Sequence, residues 1–208
     1  MTRTYRFAML VCTPVIRWWG RLRVSGLEVI PAHGPVLMAT NHDSHWDPVA
    51  IGVAGLARRQ IKALAKSSLW KPGLGRILDG MGQIPIDRGR GDAHALDRAV
   101  RELSGGACIG VFPEGTISFG EPLRARSGFG RLAASVPEAQ VVCVATRGVV
   151  DVVRFPKRPR IEIEFFLPAG GGLQPGESSA EFTVRLLAEV RERVPHARAG
   201  RRAQRVKR

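Results

Sequence analysis

One junction, between a predicted strand and the helix after it, constrains this chain most, because chemically active side chains crowd into it. The apolar run at residues 35–40 predicts a short buried strand, and residues 49–54 predict the start of a helix. Residues 41–48 lie between them and contribute two histidines and two aspartates, at positions 42, 43, 45 and 47. An α/β fold commonly carries its functional residues at such a junction.

His42 and Asp47 are the pair in this junction best suited to acid–base chemistry. A histidine titrates near neutral pH, and it takes a proton from a hydroxyl best when a carboxylate holds its other ring nitrogen. A loop that tightens into the first helical turn would bring Asp47 back against the His42 ring. The alternative is purely structural. Asp47 at the N-cap and Pro48 at the first helical position would start a helix, with His42 or His45 merely filling the junction.

The charge of the chain favours negatively charged partners. Its 208 residues suit one domain with a sizeable core, and its net charge is +14 with an isoelectric point near 11.3. Anionic lipid, nucleic acid, and phosphorylated or CoA-like ligands are the partner classes that this charge favours. Cys12, Cys108 and Cys143 form no Cys-x-x-Cys pair, which argues against a zinc site or a disulfide framework and suits a reducing cytosol.

The first 20 residues predict a helix that lies in a membrane interface. Their apolar run of about ten residues is half of what a spanning helix needs, and Pro14 would kink it. A small-x-small cleavage site is missing, so a removable signal peptide is not expected. The alternative is an ordinary helix packed on the domain. The predicted membrane contacts are Phe7, Leu10, Val11, Ile16, Trp18 and Trp19, with arginines beside them.

Strands and helices alternate along the rest of the chain. Strands are predicted at 24–30, 60–66, 84–86, 108–112, 140–148 and 160–167, and helices at 69–81, 92–104, 127–135 and 180–194. We therefore expect an α/β fold, a single domain with a mixed, largely parallel sheet flanked by helices, plus the N-terminal interfacial helix. The expected division is a membrane-interface segment at 1–23, the domain at 24–195 and a basic tail at 196–208.

Two other strand ends carry groups suited to an anion. Arg88 follows the strand at 84–86, and a guanidinium suits bidentate contact with phosphate. After the strand at 108–112, Gly115 and Thr116 offer backbone N–H groups and a hydroxyl to an anion. Glu114 would repel phosphate, so it would instead hold an acceptor hydroxyl or orient a nearby arginine. The structural alternatives are a surface Asp-Arg pair and a plain tight turn.

Together these blocks resemble the glycerophospholipid acyltransferase family, which includes the 1-acylglycerol-3-phosphate acyltransferases of the PlsC type. The resemblance covers about residues 25–150, and the family's motifs occur in order. The first motif is Asn41, His42 and Asp47, and the second ends in Ile86, Asp87 and Arg88, with Gly82 and Pro85 before them. The third is Phe112, Pro113, Glu114, Gly115 and Thr116, and the fourth is Val142, Cys143, Val144 and Ala145.

The resemblance implies direct acyl transfer from acyl-CoA or acyl carrier protein to the hydroxyl of a lysophospholipid, with 1-acylglycerol-3-phosphate as the expected acceptor. His42 would be the general base, and Asp47 would fix its tautomer. The fold would be glycerol-3-phosphate acyltransferase-like, without cofactor or metal, and attached peripherally to the anionic cytoplasmic face of the cell membrane. The implied substrate-binding residues are Arg88, Glu114, Gly115 and Thr116, with Arg126 and Lys66 as further candidates.

Two positions depart from the family pattern. Ile117 stands where the third motif usually continues with an arginine that is assigned to the acceptor's phosphate. Arg124, Arg126 or Lys66 would replace it, or the acceptor is a different lyso-lipid or a glycolipid. Cys143 stands where a proline is usual, which we interpret as a minor packing change.

Two functions of other classes remain as alternatives. His42, Asp43, His45 and Asp47 are four candidate ligands for a metallohydrolase, but no second ligand cluster accompanies them. A basic module that binds membrane or nucleic acid without catalysis would also fit the charge. Aromatic residues are not interleaved with the basic ones, so a nucleic-acid partner is not expected.

Overall fold

One seven-stranded sheet organises the part of the chain described by this computed structural model, which is residues 1–87, 92–156 and 158–197. Its strands are β1 (Arg23–Ser25), β2 (Val36–Thr40), β3 (Ile61–Lys66), β4 (Ile84–Ile86), β5 (Cys108–Val111), β6 (Gln140–Arg147) and β7 (Glu162–Phe166). They lie in the order β1-β7-β6-β2-β5-β3-β4, and all neighbours are parallel except β6 and β7. The predicted α/β fold with a mixed, largely parallel sheet is confirmed.

Helices cover both faces of this sheet. They are α1 (Arg3–Thr13), α2 (Asp47–Gly55), α3 (Leu74–Gly80), α4 (Ala93–Ser104), α5 (Gly128–Ser135) and α6 (Ser179–Arg193). The central strand β2 is buried along its whole length, and its alternate side chains enter two different cores. Met38 packs in the core beneath α1 and α2, whereas Leu37 packs in the core beneath α4, α5 and α6.

The topology brings several strand ends to one edge of the sheet. Strands β2, β3, β4, β5 and β6 are mutually parallel, so their carboxyl ends all lie at this edge. His42 follows β2, Lys66 ends β3, and Asp87 follows β4. Glu114 and the glycine after it follow β5. The residues that the sequence singles out therefore converge, because parallel strands deliver their ends to the same side.

The N-terminal segment is both packed on the domain and exposed to solvent. Tyr5, Met9 and Ile16 are buried in the core against α2, whereas Phe7 and Trp18 are 70% and 67% exposed. The prediction that Ile16 contacts a membrane is wrong, whereas Trp19 is half-buried and packs partly on the domain. Ile16 has no exposed surface, and the Trp19 indole packs on the core and donates to the Val152 carbonyl at 3.0 Å.

Pro14 alters the N-terminal helix without ending it. Residues Pro14–Trp19 continue α1 as a π-helical segment, and Pro14 lies in the first turn of that segment. Within the described residues, no helix combines the length and the apolar character that crossing a membrane requires.

The two predicted elements that lose most of their length both do so at a glycine. The strand predicted at 24–30 stops at Ser25, because Gly26 has a left-handed φ of 69° and lies against the Phe165 carbonyl. A Cβ atom at Gly26 would come within 1.8 Å of that oxygen, so only glycine fits. The helix predicted at 69–81 begins only at Leu74, since Gly73 also has a positive φ, of 84°. The predicted domain limits, 1–23 and 24–195, stay predictions, and residues 198–208 of the basic tail lie outside the described residues.

Candidate active site

His42 and Asp47 form a hydrogen-bonded pair at the carboxyl end of β2. The Nδ1 atom of His42 lies 3.1 Å from Oδ2 of Asp47. Both residues are buried, with 5% of His42 and 1% of Asp47 exposed. The same Oδ2 atom accepts the backbone N–H groups of Asp43 and Ser44, each at 2.7 Å. Because an ionised carboxylate only accepts, this contact assigns the proton to Nδ1 and leaves the lone pair of Nε2 free.

Asp47 reaches the histidine because α2 begins at Asp47 itself. Trp46 occupies the N-cap, and Pro48 follows in the first turn. The structural alternative, in which Asp47 caps the helix, is wrong by one position, since its carboxylate turns back toward residues 42–44. The ring of Phe112 stacks on the His42 ring with centroids 4.1 Å apart, so the imidazole is held at its face as well as at its edge.

Only one member of the pair borders open space. His42 lines a cavity of about 620 Å³, whereas Asp47 does not. Burial raises the pKa of Asp47, and hydrogen bonds from His42 and from the Ser44 N–H oppose that rise. A molecule in the cavity therefore meets the imidazole, and the aspartate acts on that molecule only through the histidine.

Glu114 supports the backbone of His42 from behind. The His42 backbone N–H donates to Oε2 of Glu114 at 2.7 Å. The Glu114 side chain has no exposed surface. Its Oε1 atom accepts a hydrogen bond from Nε of Arg191 at 3.1 Å and a shorter one from Nη2 of the same guanidinium. Of the two roles predicted for Glu114, this geometry favours orienting an arginine over holding an acceptor hydroxyl.

Asp43 binds the other side of the same guanidinium. Nη1 and Nη2 of Arg191 donate to its two carboxylate oxygens at 3.0 and 2.9 Å. Asn41 donates to Asp43 at 2.9 Å, and the Ser118 hydroxyl donates to Asp43 at short range. Burial raises the pKa of Asp43, but the hydrogen bonds and charge of Arg191, with the hydroxyl of Ser118, outweigh it and leave the pKa below the ordinary value.

Asn41 and Ser118 tie the junction to its two neighbouring strands. The Asn41 side chain accepts the Thr146 N–H at 2.8 Å and donates to the Thr146 carbonyl at 2.8 Å, which fixes it to β6. The Ser118 N–H donates to the His42 carbonyl at 2.8 Å, which fixes His42 to the loop after β5. Both peptide groups of the histidine are therefore held by residues of the β5 loop.

The sequence pattern predicts neither Arg191 nor Ser118 as part of this site, and it assigns Asp43 only to the metal-binding alternative. The sequence contains 32 lysines and arginines, and nothing in the pattern of residues 180–194 distinguishes Arg191 from its neighbours. Glu114 is the sequence feature that indicates a buried arginine here, because it is an acid within a turn otherwise suited to an anion. Orienting an arginine is one of the two roles predicted for it. The sequence places Phe112 in a strand and at the start of the third motif, but it does not predict that the Phe112 ring stacks on His42.

Four of the predicted substrate-binding residues surround the same cavity as His42. They are Lys66, Gly115, Thr116 and Arg126. Gly115 has a left-handed φ of 71°, and a Cβ atom there would lie 2.5 Å from Nε of Arg126, so glycine lets this arginine cross the turn. Lys66, Thr116 and Arg126 are exposed at the cavity mouth. Arg88 lies outside the described residues, and Arg124 is exposed without lining the cavity.

The interior of the cavity is apolar. It extends from His42 along the sheet face that α1 and α2 cover, and its volume lies in the range of about 300–1,000 Å³ that is typical of ligand sites. Ile117 is buried in its wall, so the position where the family usually has an arginine offers no charge here. The apolar lining comes mainly from Tyr5, Met9, Met38, Ile51, Ile61, Ala63, Leu78, Met81, Ile117 and Val144.

The candidate metal ligands of the junction face different partners. Asp47 faces His42, Asp43 faces Arg191, and His45 lines the cavity mouth. Across residues 1–87, 92–156 and 158–197, no three His, Cys, Asp or Glu side chains come together as a set that could hold a metal ion. The geometry of the junction thus supports an acid–base pair.

A family match identifies the kind of protein that carries this site. Residues 21–147, more than half of the chain, match the Acyltransferase family. The chain belongs to this family. It is an acyltransferase of the EC 2.3.1 class and of the PlsC type of glycerophospholipid acyltransferases, as the sequence motifs predicted.

Individual relatives of this acyltransferase differ in the acceptor that their names give. The 1-acyl-sn-glycerol-3-phosphate acyltransferase of Bacillus subtilis (strain 168) is 24% identical over 168 residues, covering 80% of this chain and 73% of that protein. The lyso-ornithine lipid O-acyltransferase of Pseudomonas aeruginosa is 36% identical over 135 residues, covering 60% of this chain and 49% of that protein.

A solved structure shares the fold of this acyltransferase. The crystal structure of the 1-acyl-sn-glycerophosphate acyltransferase PlsC from Thermotoga maritima superposes with a TM-score of 0.60 at 21% identity. The match covers 93% of this chain and 82% of that chain. It therefore includes elements beyond residue 147, where the family match ends.

Proposed function

We propose that this acyltransferase moves a fatty acyl group from a thioester donor, acyl-CoA or acyl carrier protein, to the hydroxyl of a lysophospholipid. The observation that carries the proposal is the buried His42–Asp47 pair, whose imidazole borders a cavity with an apolar interior and a basic mouth. Such a cavity suits a molecule with a hydrocarbon chain and an anionic head, and the family match supports acyl transfer as the reaction.

His42 acts as the general base in the proposed mechanism. Its Nε2 atom accepts the proton of the acceptor hydroxyl while the oxygen attacks the thioester carbonyl carbon. The new C–O bond forms and the C–S bond breaks. The leaving thiolate then accepts the proton from the His42 imidazolium. Asp47 holds Nδ1–H at 3.1 Å and stabilises the positive charge that the ring carries between these two steps. No covalent acyl-enzyme is required.

The apolar part of the cavity holds a hydrocarbon chain in this proposal. Burying methylene groups in an apolar site contributes about 0.8 kcal/mol for each one. Side chains from α1, α2, α3 and the central strands enclose this part of the cavity. The reacting carbonyl then lies near His42, at the polar end of the cavity.

The basic mouth of the cavity holds the acceptor's head group. Lys66 and Arg126 contribute cations there, and Thr116 contributes a hydroxyl. A phosphate with up to two charges needs several donors when it leaves water. Arg88 lies outside the described residues, so its role as a further phosphate ligand stays a prediction. With these cations, 1-acylglycerol-3-phosphate is the acceptor that we propose first.

Ile117 supports a second candidate acceptor, a lyso-lipid whose head group is not a phosphate. The cavity wall is apolar at the position where the family usually carries a phosphate-binding arginine. The relative of 36% identity is named for a lyso-ornithine lipid, which keeps this candidate open.

We further propose that the enzyme works as a peripheral protein on the cytoplasmic face of an anionic membrane. The exposed apolar side chains of the N-terminal helix lie beside the exposed arginines Arg3, Arg6 and Arg17. Apolar contact and attraction to anionic lipid would act together on such a surface.

A substrate panel with mass-spectrometric detection tests the proposed function. The purified protein is incubated with acyl-CoA or the acyl thioester of acyl carrier protein as donor, and with 1-acylglycerol-3-phosphate or lyso-ornithine lipid as acceptor. We expect a diacyl product and a free thiol in equal amounts, fastest with the phosphate acceptor. Faster reaction of the phosphate-free acceptor would favour the second candidate. Hydrolysis of the thioester without a diacyl product would contradict acyl transfer.

A further inference from the structure

Arg191 joins two acidic residues that flank His42 from different strands. Asp43 follows β2 and Glu114 follows β5, and the planar guanidinium of Arg191 lies between their carboxylates. Only 10% of the Arg191 side chain is exposed, against 3% for Asp43 and none for Glu114. The three charges are thus removed together from water, next to the residue that performs the proposed proton transfer.

The charge balance of this cluster depends on the arginine. Asp43 and Glu114 are two buried carboxylates, and a buried carboxylate without a cation is strongly disfavoured. His196 Nε2 lies 3.9 Å from Glu114, beyond hydrogen-bonding distance, and does not replace the guanidinium. Removing Arg191 would leave the two acids facing each other and would push their backbones apart.

The backbone of His42 is coupled directly to both acids. Glu114 accepts the His42 N–H at 2.7 Å, and Asp43 is the next residue along the chain. A lysine could neutralise one carboxylate but lacks the planar fork that contacts both at once. The position of the imidazole relative to a bound substrate therefore depends on a residue of α6, which lies beyond the matched residues 21–147.

We propose that Arg191 is a positioning residue for acyl transfer, which holds His42 in its reactive place through Glu114 and Asp43. The inference rests on the proposed function, because it assumes that His42 is the base. Misplacement of a catalytic group by about 1 Å costs up to about 10²-fold in rate. The affinity for substrates is not expected to change, since Arg191 does not line the cavity.

The test compares steady-state kinetics of Arg191→Met, Arg191→Lys and Arg193→Gln. Arg193 is the next arginine on α6, and its side chain is 46% exposed in an ion pair with Glu164, so it serves as the matched control. We expect Arg191→Met to lower kcat about 10²-fold, with both KM values within about twofold of wild type. Arg191→Lys should recover part of kcat, and Arg193→Gln should keep the wild-type rate.

Addition of His42→Ala separates positioning from a general loss of structure. If Arg191 acts through His42, Arg191→Met should not lower further the residual rate of the His42→Ala protein. A further proportional drop in the double variant would show a structural role and overturn the inference. If circular dichroism shows that Arg191→Met does not fold, the kcat of Arg191→Lys alone tests the inference, because this variant keeps the positive charge. A wild-type kcat for that variant would then overturn the inference.

The failure of the proposed function would look different. A wild-type protein that forms no diacyl lipid would overturn the proposed function and this inference with it. Active wild-type and Arg193→Gln proteins beside an equally active Arg191→Met protein would overturn only the inference.

Discussion

The hydroxyl oxygen of Tyr5 lies 3.5 Å from the Gly52 carbonyl oxygen, which links α1 to the helix that begins with Asp47. The Tyr5 hydroxyl oxygen also accepts a hydrogen bond from the Ile61 N–H at 3.3 Å. Tyr5 also lines the cavity beside His42, as does Met9. The N-terminal helix is therefore a wall of the proposed acyl-chain site, and its outer face is free for a membrane.

Membrane binding should be separable from folding, because these two faces use different residues. We predict that the triple variant Phe7→Ser, Leu10→Ser, Trp18→Ser binds anionic vesicles at least about tenfold more weakly, with an unchanged melting temperature. Each side chain is more than half exposed, so its removal opens no cavity in the core. Vesicle co-sedimentation measures the effect.

The exposed apolar residue Val184 on α6 gives the control for this experiment. Val184→Ser should bind vesicles as the wild type does. Equal binding by the triple variant and the wild type would contradict the membrane assignment of the N-terminal helix.

The apolar cavity predicts a dependence on acyl-chain length. Ala63→Leu adds methyl groups to its wall on β3 and should lower kcat/KM for long-chain thioesters about tenfold. Short-chain thioesters should be affected much less, because they do not fill the narrowed part. The measurement is thiol release with donors of increasing length, and Val184→Leu is the matched control. A uniform loss across all donors would show that the chain lies elsewhere.

Acid stability should report the Arg191–Asp43 contact. The folded protein holds the pKa of Asp43 below its ordinary value of 3.8, despite burial, through hydrogen bonds from Arg191 and Ser118. A depressed pKa stabilises the folded state above pH 3.8, and this contribution is lost as the pH falls through the lower folded value. We predict that, below pH 3.8, the melting temperature of Asp43→Asn depends less on pH than the melting temperature of the wild type does.

The exposed Asp97 on α4 provides the comparison for the acid-stability measurement. Asp97→Asn should follow the wild-type curve, since this residue has no part in the buried cluster. The same dependence of melting temperature on pH in the wild type and in Asp43→Asn would contradict the role of Arg191 in stabilising the Asp43 carboxylate.

The parts of the fold that the sequence predicted are those with a local signal. Buried strands such as β2 and β6 are continuous apolar runs, and the pairing of His42 with Asp47 depends on only five positions of chain. The chemistry at the carboxyl ends of parallel strands then follows from topology alone.

The parts that the sequence could not predict depend on packing between distant elements. Arg191 and Asp43 are 148 positions apart in the sequence. Helical periodicity indicates which face of α6 is buried, but it does not indicate which acidic residue Arg191 contacts. The burial of Ile16 beside the exposed Trp18 depends likewise on the angle at which the N-terminal segment crosses α2. Alternation and composition carry no information on that angle.

The central claim, that His42 is the general base, is tested most directly by the kcat of purified His42→Ala protein in the diacyl-product assay. Loss of a general base costs about 10²–10⁴-fold in rate. We predict a loss of that size in a protein whose melting curve shows that it is folded. His45→Ala, at the cavity mouth, should cost far less. A folded His42→Ala protein that retains more than about a tenth of the wild-type turnover would contradict the claim.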